Sequence, residues 1–584
     1  MAARLPRQAK LQAQAALFST NESEEEQDIH DDSDSASDSD ENLFDLNDIH
    51  EEQADEPVAP SERGSGGGDV VENEEWKDKN GNLWSPDPPI ERRRRRENIL
   101  HHTGGPTDCA KKTSLLETWE LFFPDEDLAK IVGYSMKKAE AAGEHKELSV
   151  CSLKAAIGFM YFRGANFDQK VPLYDLYNDT ASSFYKTCMS KNTIEYWLRF
   201  LRFDDHETRV ERKHNDRFAA VRELWDSWNN RLPSFFNSSG NITVDEQLVS
   251  SRTRSPNRIF IPQKPGKFGE LIRWASDSEF RYCFRGNPYT RSPENEELKE
   301  EHKLSNKSKM LVLDLISPFF GRGYNITADR FFSSFDLGQT LLEKQLTYIG
   351  TLMTNKREIP PVLKKPQAPL SSQFAFGGND KRVTQVCYQA TKSKKVFMIS
   401  TQHHGKHVSP DSDYKPDIIL EYNRTKCGVD SCDQIVKRYT TRSLLRRWPM
   451  IHFQNMLDIT ALNVCTIFKM TNPNWCDDYD RSDRRHMLIQ LAKELCRAYV
   501  IARLQATGIH SDLRKSMRKF VGIVEIPRNI PNQSAITGRC EVCKERGKST
   551  RNSNKASKVC EQCQKFVCAS HASQKVVCLD CIDS

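Results

Sequence analysis

Acidic side chains at the ends of apolar runs are the first place in this chain where chemistry could sit. The stretch Ile242-Thr243-Val244-Asp245-Glu246-Gln247-Leu248 leads β-branched residues into a carboxylate, the pattern of a strand end that presents an acid to a metal. Ile326-Thr327-Ala328-Asp329 repeats the pattern ahead of the helix-like Phe331-Phe332-Ser333-Ser334-Phe335-Asp336-Leu337. Gly428-Val429-Asp430-Ser431-Cys432-Asp433-Gln434 opens a helical stretch with acids three residues apart, and positions i and i+3 share a helix face. Three or four carboxylates from separate elements are what a pair of hard Mg²⁺ ions requires.

A second donor set closes the chain: Cys540-x2-Cys543-x16-Cys560-x2-Cys563-x4-Cys568-x2-His571-x6-Cys578-x2-Cys581. Eight ligands in four close pairs match two tetrahedral zinc sites. So short a segment has little core, and zinc would supply its folding energy. Interleaved pairing, as in cross-brace fingers, would put Cys540, Cys543, Cys568 and His571 on one ion and Cys560, Cys563, Cys578 and Cys581 on the other; the spacing alone leaves the pairing open.

These groups need elements to hold them. Residues 1–105 are poor in apolar side chains and rich in Glu, Asp, Ser, Gly and Pro, so they are expected to be disordered. From 106 to 240 the pattern is helical: Leu153, Ala156, Ile157, Met160 and Tyr161 recur at helical spacing, as do Ile194, Trp197, Leu198 and Leu201. Residues 241–355 turn strand-rich, with Asn257 to Pro262, Ile272 to Ala275, Arg281 to Phe284 and Met310 to Ile316 reading as short strands of an α/β layer. Residues 356–416 look inserted, with Val383 to Gln389 and Lys395 to Ser400 alternating like a hairpin. The α/β pattern resumes over 417–440 and helices return over 441–530, where Met456 to Ile467 is too apolar all round for a surface helix. The cysteine-rich segment is 536–584. Asp277 and Asp314 lie near the expected strands but outside the acid motifs, and His403, His404 and His407 read as loop residues.

Charge narrows the partner. The net charge is +4, but residues 21–56 hold seventeen acids and no Lys or Arg, which leaves 85 basic against 64 acidic residues elsewhere. A basic body with an acidic tail fits a polyanion, most simply nucleic acid. Arg252, Arg254, Arg258, Lys264 and Lys267 follow the first Asp closely and suit phosphate contacts, as do Lys356 and Arg357. Arg446 and Arg447 beside Trp448 could clamp a phosphate and stack on an unpaired base, unless the Trp is simply packed. Arg92 to Arg96 suits a nuclear-import signal, and Ser35 and Ser37, each with an acid three residues on, suit acid-directed phosphorylation. No apolar run reaches ~18 residues, so no membrane role is expected, and the clustered cysteines of an intracellular protein favour zinc over disulfides.

The order and wording of these motifs resemble the piggyBac family of DNA transposases. The resemblance rests on Val244-Asp245-Glu246-Gln247, Ile261-Pro262 with Lys264-Pro265 and Lys267-Phe268-Gly269, and Asn355-Lys356-Arg357-Glu358-Ile359-Pro360. It continues through Tyr422-Asn423, Thr425-Lys426, Gly428-Val429-Asp430 with Asp433-Gln434, and Arg447-Trp448-Pro449-Met450, and runs from roughly residue 110 to the end. Cys427 stands where the family usually has a second Gly, and Ala328 precedes the second Asp. The resemblance implies a ribonuclease-H-like catalytic core with a β-rich insertion, flanked by helices that bind the transposon end and dimerise. It implies Asp245, Asp329 and Asp430 as ligands of two Mg²⁺, with Asp433 a further ligand or an orienting group. The implied activity is excision of a transposon through hairpin ends and joining to TTAA target DNA in the nucleus. Two rivals remain at this level: a catalytically silent DNA-binding protein, and an interaction protein built around its cross-brace tail.

Overall fold

The computed structural model describes residues 75–89, 100, 102–262, 264, 266–291, 301–443, 447–476, 483–523, 538–547, 553–556, 558–560 and 565–572, excluding the side chains of 301–306, 483 and 558. The acidic segment, Ser35, Ser37 and the run Arg92 to Arg96 lie outside the described residues.

The first described element corrects the expectation that everything before residue 105 lacks structure. Strands β1 (Trp76–Lys77) and β2 (Leu83–Ser85) form a hairpin. Its turn is organised by the Asp78 carboxylate, which accepts from Asn80 N at 2.8 Å, Asn82 N at 3.0 Å, Asn82 Nδ2 at 2.8 Å and Trp84 Nε1 at 3.1 Å. Trp84 is buried, with its ring 5.2 Å from that of Phe335. It packs so closely on Gly377 that a β-carbon there would lie 2.7 Å from the indole. Large-to-small changes of a buried aromatic cost about 3–5 kcal/mol. Trp84→Ala is therefore expected to lower the melting temperature clearly and to speed proteolysis between residues 75 and 89; unchanged protease resistance there would mean the hairpin is not held by its Trp.

Next come β3 (Gly105–Pro106) and a helical region: α1 (Leu115–Glu120), α2 (Asp125–Glu140), α3 (Val150–Ala165), α4 (Ser183–Cys188), α5 (Lys191–Phe200), α6 (Arg209–Asn215) and α7 (Ala219–Arg231). Ser114 and Ser149 close capping boxes on α1 and α3, each accepting from the backbone N–H three residues on. Strands follow: β4 (Phe236–Asn237), β5 (Asn241–Ser250), β6 (Ile259–Phe260), β7 (Phe268–Asp277) and β8 (Cys283–Pro288). Then come α8 (Glu301–Ile316), β9 (Asn325–Ala328), α9 (Phe335–Glu343), β10 (Thr347–Leu352), β11 (Ser371–Gly377), β12 (Val383–Gln389) and β13 (Lys395–Ser400). Helices α10 (Asp417–Thr425), α11 (Gly428–Arg438), α12 (Trp448–Thr471), α13 (Asp483–Leu504) and α14 (Ser511–Phe520) precede the cysteine-rich segment.

One 11-stranded sheet carries the fold, in the order β1-β2-β11-β12-β13-β10-β9-β5-β7-β6, with β8 also paired to β7. β9 runs parallel to both β5 and β10, and the other pairings are antiparallel. Register is fixed on both sides of β5: Val244 faces Ala328 on one side and Ala275 on the other. One expectation is extended here and one changes. The hairpin of residues 383–400 forms, and β11, β12 and β13 continue the main sheet through β10. Met310 to Ile316 lies in α8, not in a strand. Val312, Leu315, Ile316 and Phe319 are buried at helical spacing, so the apolar run is one helix face and its short extension.

The hub of the helical side is α12, buried on nearly every face. Several of its buried polar groups are matched: Asn463 Oδ1 accepts from Cys283 N and its Nδ2 donates to Cys283 O, both at 2.9 Å. Thr460 Oγ1 accepts from Trp228 Nε1 at 2.9 Å, and the Leu457 carbonyl accepts from Tyr161 Oη at 2.8 Å. No helix among the described residues is long and apolar enough to cross a membrane.

Candidate active site and metal centre

Asp245 sits in the middle of β5, not at its end as the residue pattern suggested; the strand continues to Ser250. Asp329 is the first residue after β9, and its Oδ1 accepts from Phe331 N at 2.7 Å, which fixes the carboxylate in a tight turn. Asp430 lies in the first turn of α11, where the partial positive charge of a helix N-terminus favours an anion.

These three elements meet because two small contacts permit it. The start of α11 presses on β5 and β7 at Gly428, where a β-carbon would stand 2.5 Å from Thr243 Oγ1 and 3.0 Å from Ser276 Oγ. Thr425 ties the preceding helix to both parallel strands: its carbonyl accepts from Thr243 Oγ1 at 2.6 Å, and its hydroxyl lies 2.8 Å from that of Thr327. Gly428 is thus the glycine that the close approach demands. The residue before it is a helix cap that tolerates Cys427.

Electrostatics show that the acids face one another. Burial pushes the Asp245 carboxyl up to about 7, the negative charge of Asp430 adds to the rise, and Asp329 contributes further. Burial also raises Asp329. Lys264 is the opposing cation: its Nζ donates to the Glu246 carbonyl at 3.3 Å, and its charge lowers both carboxyls. The acids are not drawn into one closed shell. Among the described residues, the one group of three or more metal-type ligands within 4.8 Å of each other is elsewhere, in the cysteine-rich segment.

Asp433 is hydrogen-bonded to β5. Its Oδ1 accepts from Gln247 Nε2 at 2.9 Å, and its Oδ2 pairs with Lys437 at 2.6 Å. Gln247 Oε1 in turn accepts from Trp274 Nε1 at 2.9 Å and Asn455 Nδ2 at 3.1 Å. The Oδ1 bond ties α11 to β5, and the Oδ2 pair with Lys437 lies within α11. Gln247 was not singled out from the sequence, although its position two residues after Asp245 places it on the same face of the strand.

The basic candidates divide. Arg252, Arg254 and Lys267 are exposed, and Arg357 is exposed beside half-buried Lys356. Arg258 is half-engaged, with Nη1 donating to the carbonyls of Arg252 at 3.2 Å and Thr253 at 3.1 Å. Arg446 lies outside the described residues. The expected clamp at Arg447 and Trp448 is replaced by a structural role. Arg447 donates to the carbonyls of Leu198 at 2.7 Å and Leu201 at 2.9 Å, covering the unpaired carbonyls at the end of α5. Trp448 is half-buried, 5.9 Å from Phe218 and 5.7 Å from His452 in the aromatic core. Trp448→Ala should lower thermal stability and depress every activity in parallel; a variant that melts normally yet fails only on distorted DNA would restore the base-stacking role. Asp277 and Asp314 are structural as expected. Asp277 accepts from Ser238, Ser239, Glu279 and Phe280, and Asp314 pairs with Arg285 at 3.0 Å.

In the cysteine-rich segment, Cys540, Cys543, Cys568 and His571 converge. His571 Nδ1 lies 3.5 Å from Cys540 Sγ, 3.4 Å from Cys543 Sγ and 3.5 Å from Cys568 Sγ, and the Sγ atoms of Cys543 and Cys568 are 3.9 Å apart. A tetrahedral ion with Zn–S and Zn–N bonds of usual length sets such edges at about 3.5–3.8 Å. Burial works against ionisation of Cys568, but hydrogen bonds from Ser570 and Asn554, with help from Cys540, bring its thiol down to about 5, so a thiolate is ready for a cation. The four residues are one of the two sets expected from interleaved pairing. Of the other set Cys560 is buried, and Cys563, Cys578 and Cys581 lie outside the described residues.

Comparison with known proteins gives this arrangement a family. The profile described as Transposase IS4 matches residues 116–464, which contain all four acids, and the chain belongs to that transposase family. Within it the likeness is to the piggyBac type. The human PiggyBac transposable element-derived protein 3 is 21% identical over 345 residues, covering 57% of each chain. The human Chimeric ERCC6-PGBD3 protein is 21% identical over 345 residues, covering 57% of this chain and 32% of that one. The chain thus spans about half the length, or less, of these curated relatives. A cryo-EM structure of a piggyBac transposase synaptic complex with hairpin DNA superposes with a TM-score of 0.65 at 28% identity, covering 82% of this chain and 100% of that one.

Proposed function

We propose that this chain is a cut-and-paste DNA transposase. It frees a transposon end, passes through a hairpin, and joins the end to TTAA target DNA by metal-dependent phosphoryl transfer. The carrying observation is the convergence of Asp245, Asp329 and Asp430, from two neighbouring parallel strands and one helix, where burial first, and then the charges of Asp430 and Asp329, push the Asp245 carboxyl up to about 7. The strand order β8-β7-β5-β9-β10, with the last three parallel, supports a ribonuclease-H-like core.

The donor set fits hard divalent ions: Asp245, Asp329 and Asp430 would hold Mg²⁺, which when bound neutralises charge on a reacting phosphate. The protein's own groups do the rest. Lys264 offsets the crowded carboxylates, Asp433 and Gln247 hold α11 in place, and Arg252, Arg254, Lys267, Lys356 and Arg357 offer donors to DNA phosphates. Two Zn²⁺ in the cysteine-rich segment, action as a homodimer on DNA, a nuclear location and phosphorylation of the acidic segment belong to the same reading. A second reading, a DNA-binding protein without cleavage, draws on the carboxylates not forming a closed shell. A labelled terminal repeat flanked by TTAA separates the two: nicking in Mg²⁺ supports the transposase, and binding without nicking in Mg²⁺ and Mn²⁺ supports the binder.

Asp245 also sets a pH dependence. Its folded value, about 7, lies above its unfolded one, so the metal-free chain takes up a proton on folding between roughly pH 4 and 7. Its contribution to stability is present at low pH and lost as pH rises through 7. Without divalent ions the melting temperature should fall over that window, and Asp245→Asn should flatten the fall. Cleavage should rise through the same window, with a midpoint that moves to lower pH as Mg²⁺ increases, because ion and proton compete for one carboxylate. A midpoint indifferent to Mg²⁺ would separate Asp245 from the metal.

A further inference from the structure

The β6–β7 hairpin carries two aromatic side chains that folding leaves outside. Phe260 and Phe268 are directly paired across the two strands, yet they are 47% and 42% exposed. Their rings touch, with centroids 4.7 Å apart and planes at 38°. No other two exposed aromatic rings are in contact among the described residues. Keeping two Phe rings in water has a cost that burial elsewhere would remove, so the arrangement calls for an occupant.

The surroundings define that occupant's charge. From residue 251 to 268 the sequence holds five Arg or Lys and no acid. The Arg258 guanidinium lies 5.6 Å over the Phe268 ring while Nη1 holds the carbonyls of Arg252 and Thr253. One cation therefore fixes the loop carrying Arg252 and Arg254 against the aromatic pair. The hairpin tip is also set: Ile261 N donates to Lys267 O at 2.7 Å, Lys267 N donates to Lys264 O at 2.9 Å, and Lys267 holds a left-handed φ of 51°. A rigid aromatic face ringed by phosphate-binding cations is the chemistry of a single-stranded nucleic-acid platform. An acidic peptide would satisfy the cations but leave the rings without a flat partner.

We infer that Phe260 and Phe268 form a stacking platform for an unpaired base of the DNA strand, with Arg252, Arg254 and Lys267 holding its phosphates. The inference rests on the DNA reading given above and adds a site to it. The rings already touch each other, so a base stacks on the outer face of the pair and does not enter between them. Six residues of strand separate the Phe268 position from the level of Asp245, about 20 Å. The platform therefore engages DNA flanking the cleavage point, where strands separate, and not the scissile nucleotide.

The test compares wild type with Phe260→Leu/Phe268→Leu, which keeps apolar cover but removes the π faces, and with Phe260→Ala/Phe268→Ala. Each full-length protein is titrated with an intact duplex and with the same duplex carrying a short gap that contains 2-aminopurine. Wild type should bind the gapped DNA more tightly and quench the 2-aminopurine. Both double variants should lose about 5- to 100-fold on gapped DNA, lose the quenching, and keep duplex affinity within about twofold, with an unchanged melting temperature. Equal losses on both DNAs, or no loss on either, would overturn the platform. Variants that bind both DNAs normally but sediment as smaller species would show the face to be a contact between copies of this chain. A nicking assay on the wild type keeps the two readings apart: a wild type that nicks DNA while the variants bind gapped DNA unchanged would remove the platform and leave the transposase reading standing.

Discussion

Asp245→Asn, Asp329→Asn and Asp430→Asn are each expected to lower DNA cleavage by about 10³-fold or more while DNA binding survives. The substitution keeps the shape of the side chain and removes one negative charge. In this site that charge is what a cation would be held by: Asp245 is half-buried, and its carboxyl is pushed up to about 7 by burial first and then by Asp430 and Asp329. Binding should persist because the exposed cations Arg252, Arg254, Lys267 and Arg357 lie outside the acid cluster. Misfolding is separable from lost catalysis by an internal control. Removing a buried charge repelled by its neighbours should leave metal-free Asp245→Asn at least as thermally stable as wild type above pH 7. Asp433→Asn should do less harm, since an amide can still meet Gln247 and loses chiefly the pairing with Lys437. The assay is the labelled terminal repeat with Mg²⁺, run beside a binding measurement. Nicking that persists in all three variants would refute the site.

The second large effect is expected in the cysteine-rich segment. Structural zinc sites hold apparent binding energies of about 10–16 kcal/mol at neutral pH, and that energy is folding energy where little core exists. Here the local core consists largely of the ligands themselves: Cys540, Cys543, Cys560 and Cys568 are buried alongside Val542, Ala556 and Val567. A zinc-selective chelator should make residues 538–572 protease-sensitive while the 11-stranded sheet stays resistant. Elemental analysis of the full chain should find two zinc ions. Cys543→Ser combined with His571→Ala should leave one zinc ion, because both ligands belong to the described cluster; a count of zero would mean that the two residues serve different ions. A metal-free chain whose tail resists protease as before would remove zinc from the account.

The acids were legible because each motif combines an apolar run with a carboxylate, and their separation in sequence posed no obstacle once spacing and chemistry were read together. What lay beyond local pattern was less legible. Asp245 was read as a strand end because Glu246 and Gln247 interrupt the apolar run, yet both stay in the strand: Glu246 faces Arg273 and Gln247 faces Ile272 on β7. Met310 to Ile316 is an apolar run too short for periodicity to separate strand from helix by itself. Trp84 was hidden by polar neighbours, although Asp78, Asn80, Gly81 and Asn82 between two Trp-containing runs are a hairpin signal. Arg447 could not be placed from sequence at all. Its partners are carbonyls almost 250 residues earlier, and nothing in a charge run tells a phosphate ligand from a helix cap. Where residues 356–416 join the sheet was not legible for a similar reason, since sheet order is a non-local property and β13 reaches β10 only through tertiary pairing.

The double pairing of β5 has a genetic consequence. Nine of its ten residues, Ile242 to Ser250, are held in register by β7 on one side, and Asn241 to Val244 by β9 on the other. Strand side chains alternate with period two, so an in-frame loss of one codon ahead of Asp245 would turn the carboxylate to the opposite face of the sheet or force both neighbours to slip. Diverged gene copies should therefore be judged by the length of residues 241–250 as well as by their aspartate. On the proposed reading, a copy that retains Asp245 but has lost a residue between Asn241 and Val244 is expected to lose cleavage, and an alignment that scores only the three aspartates would miss it.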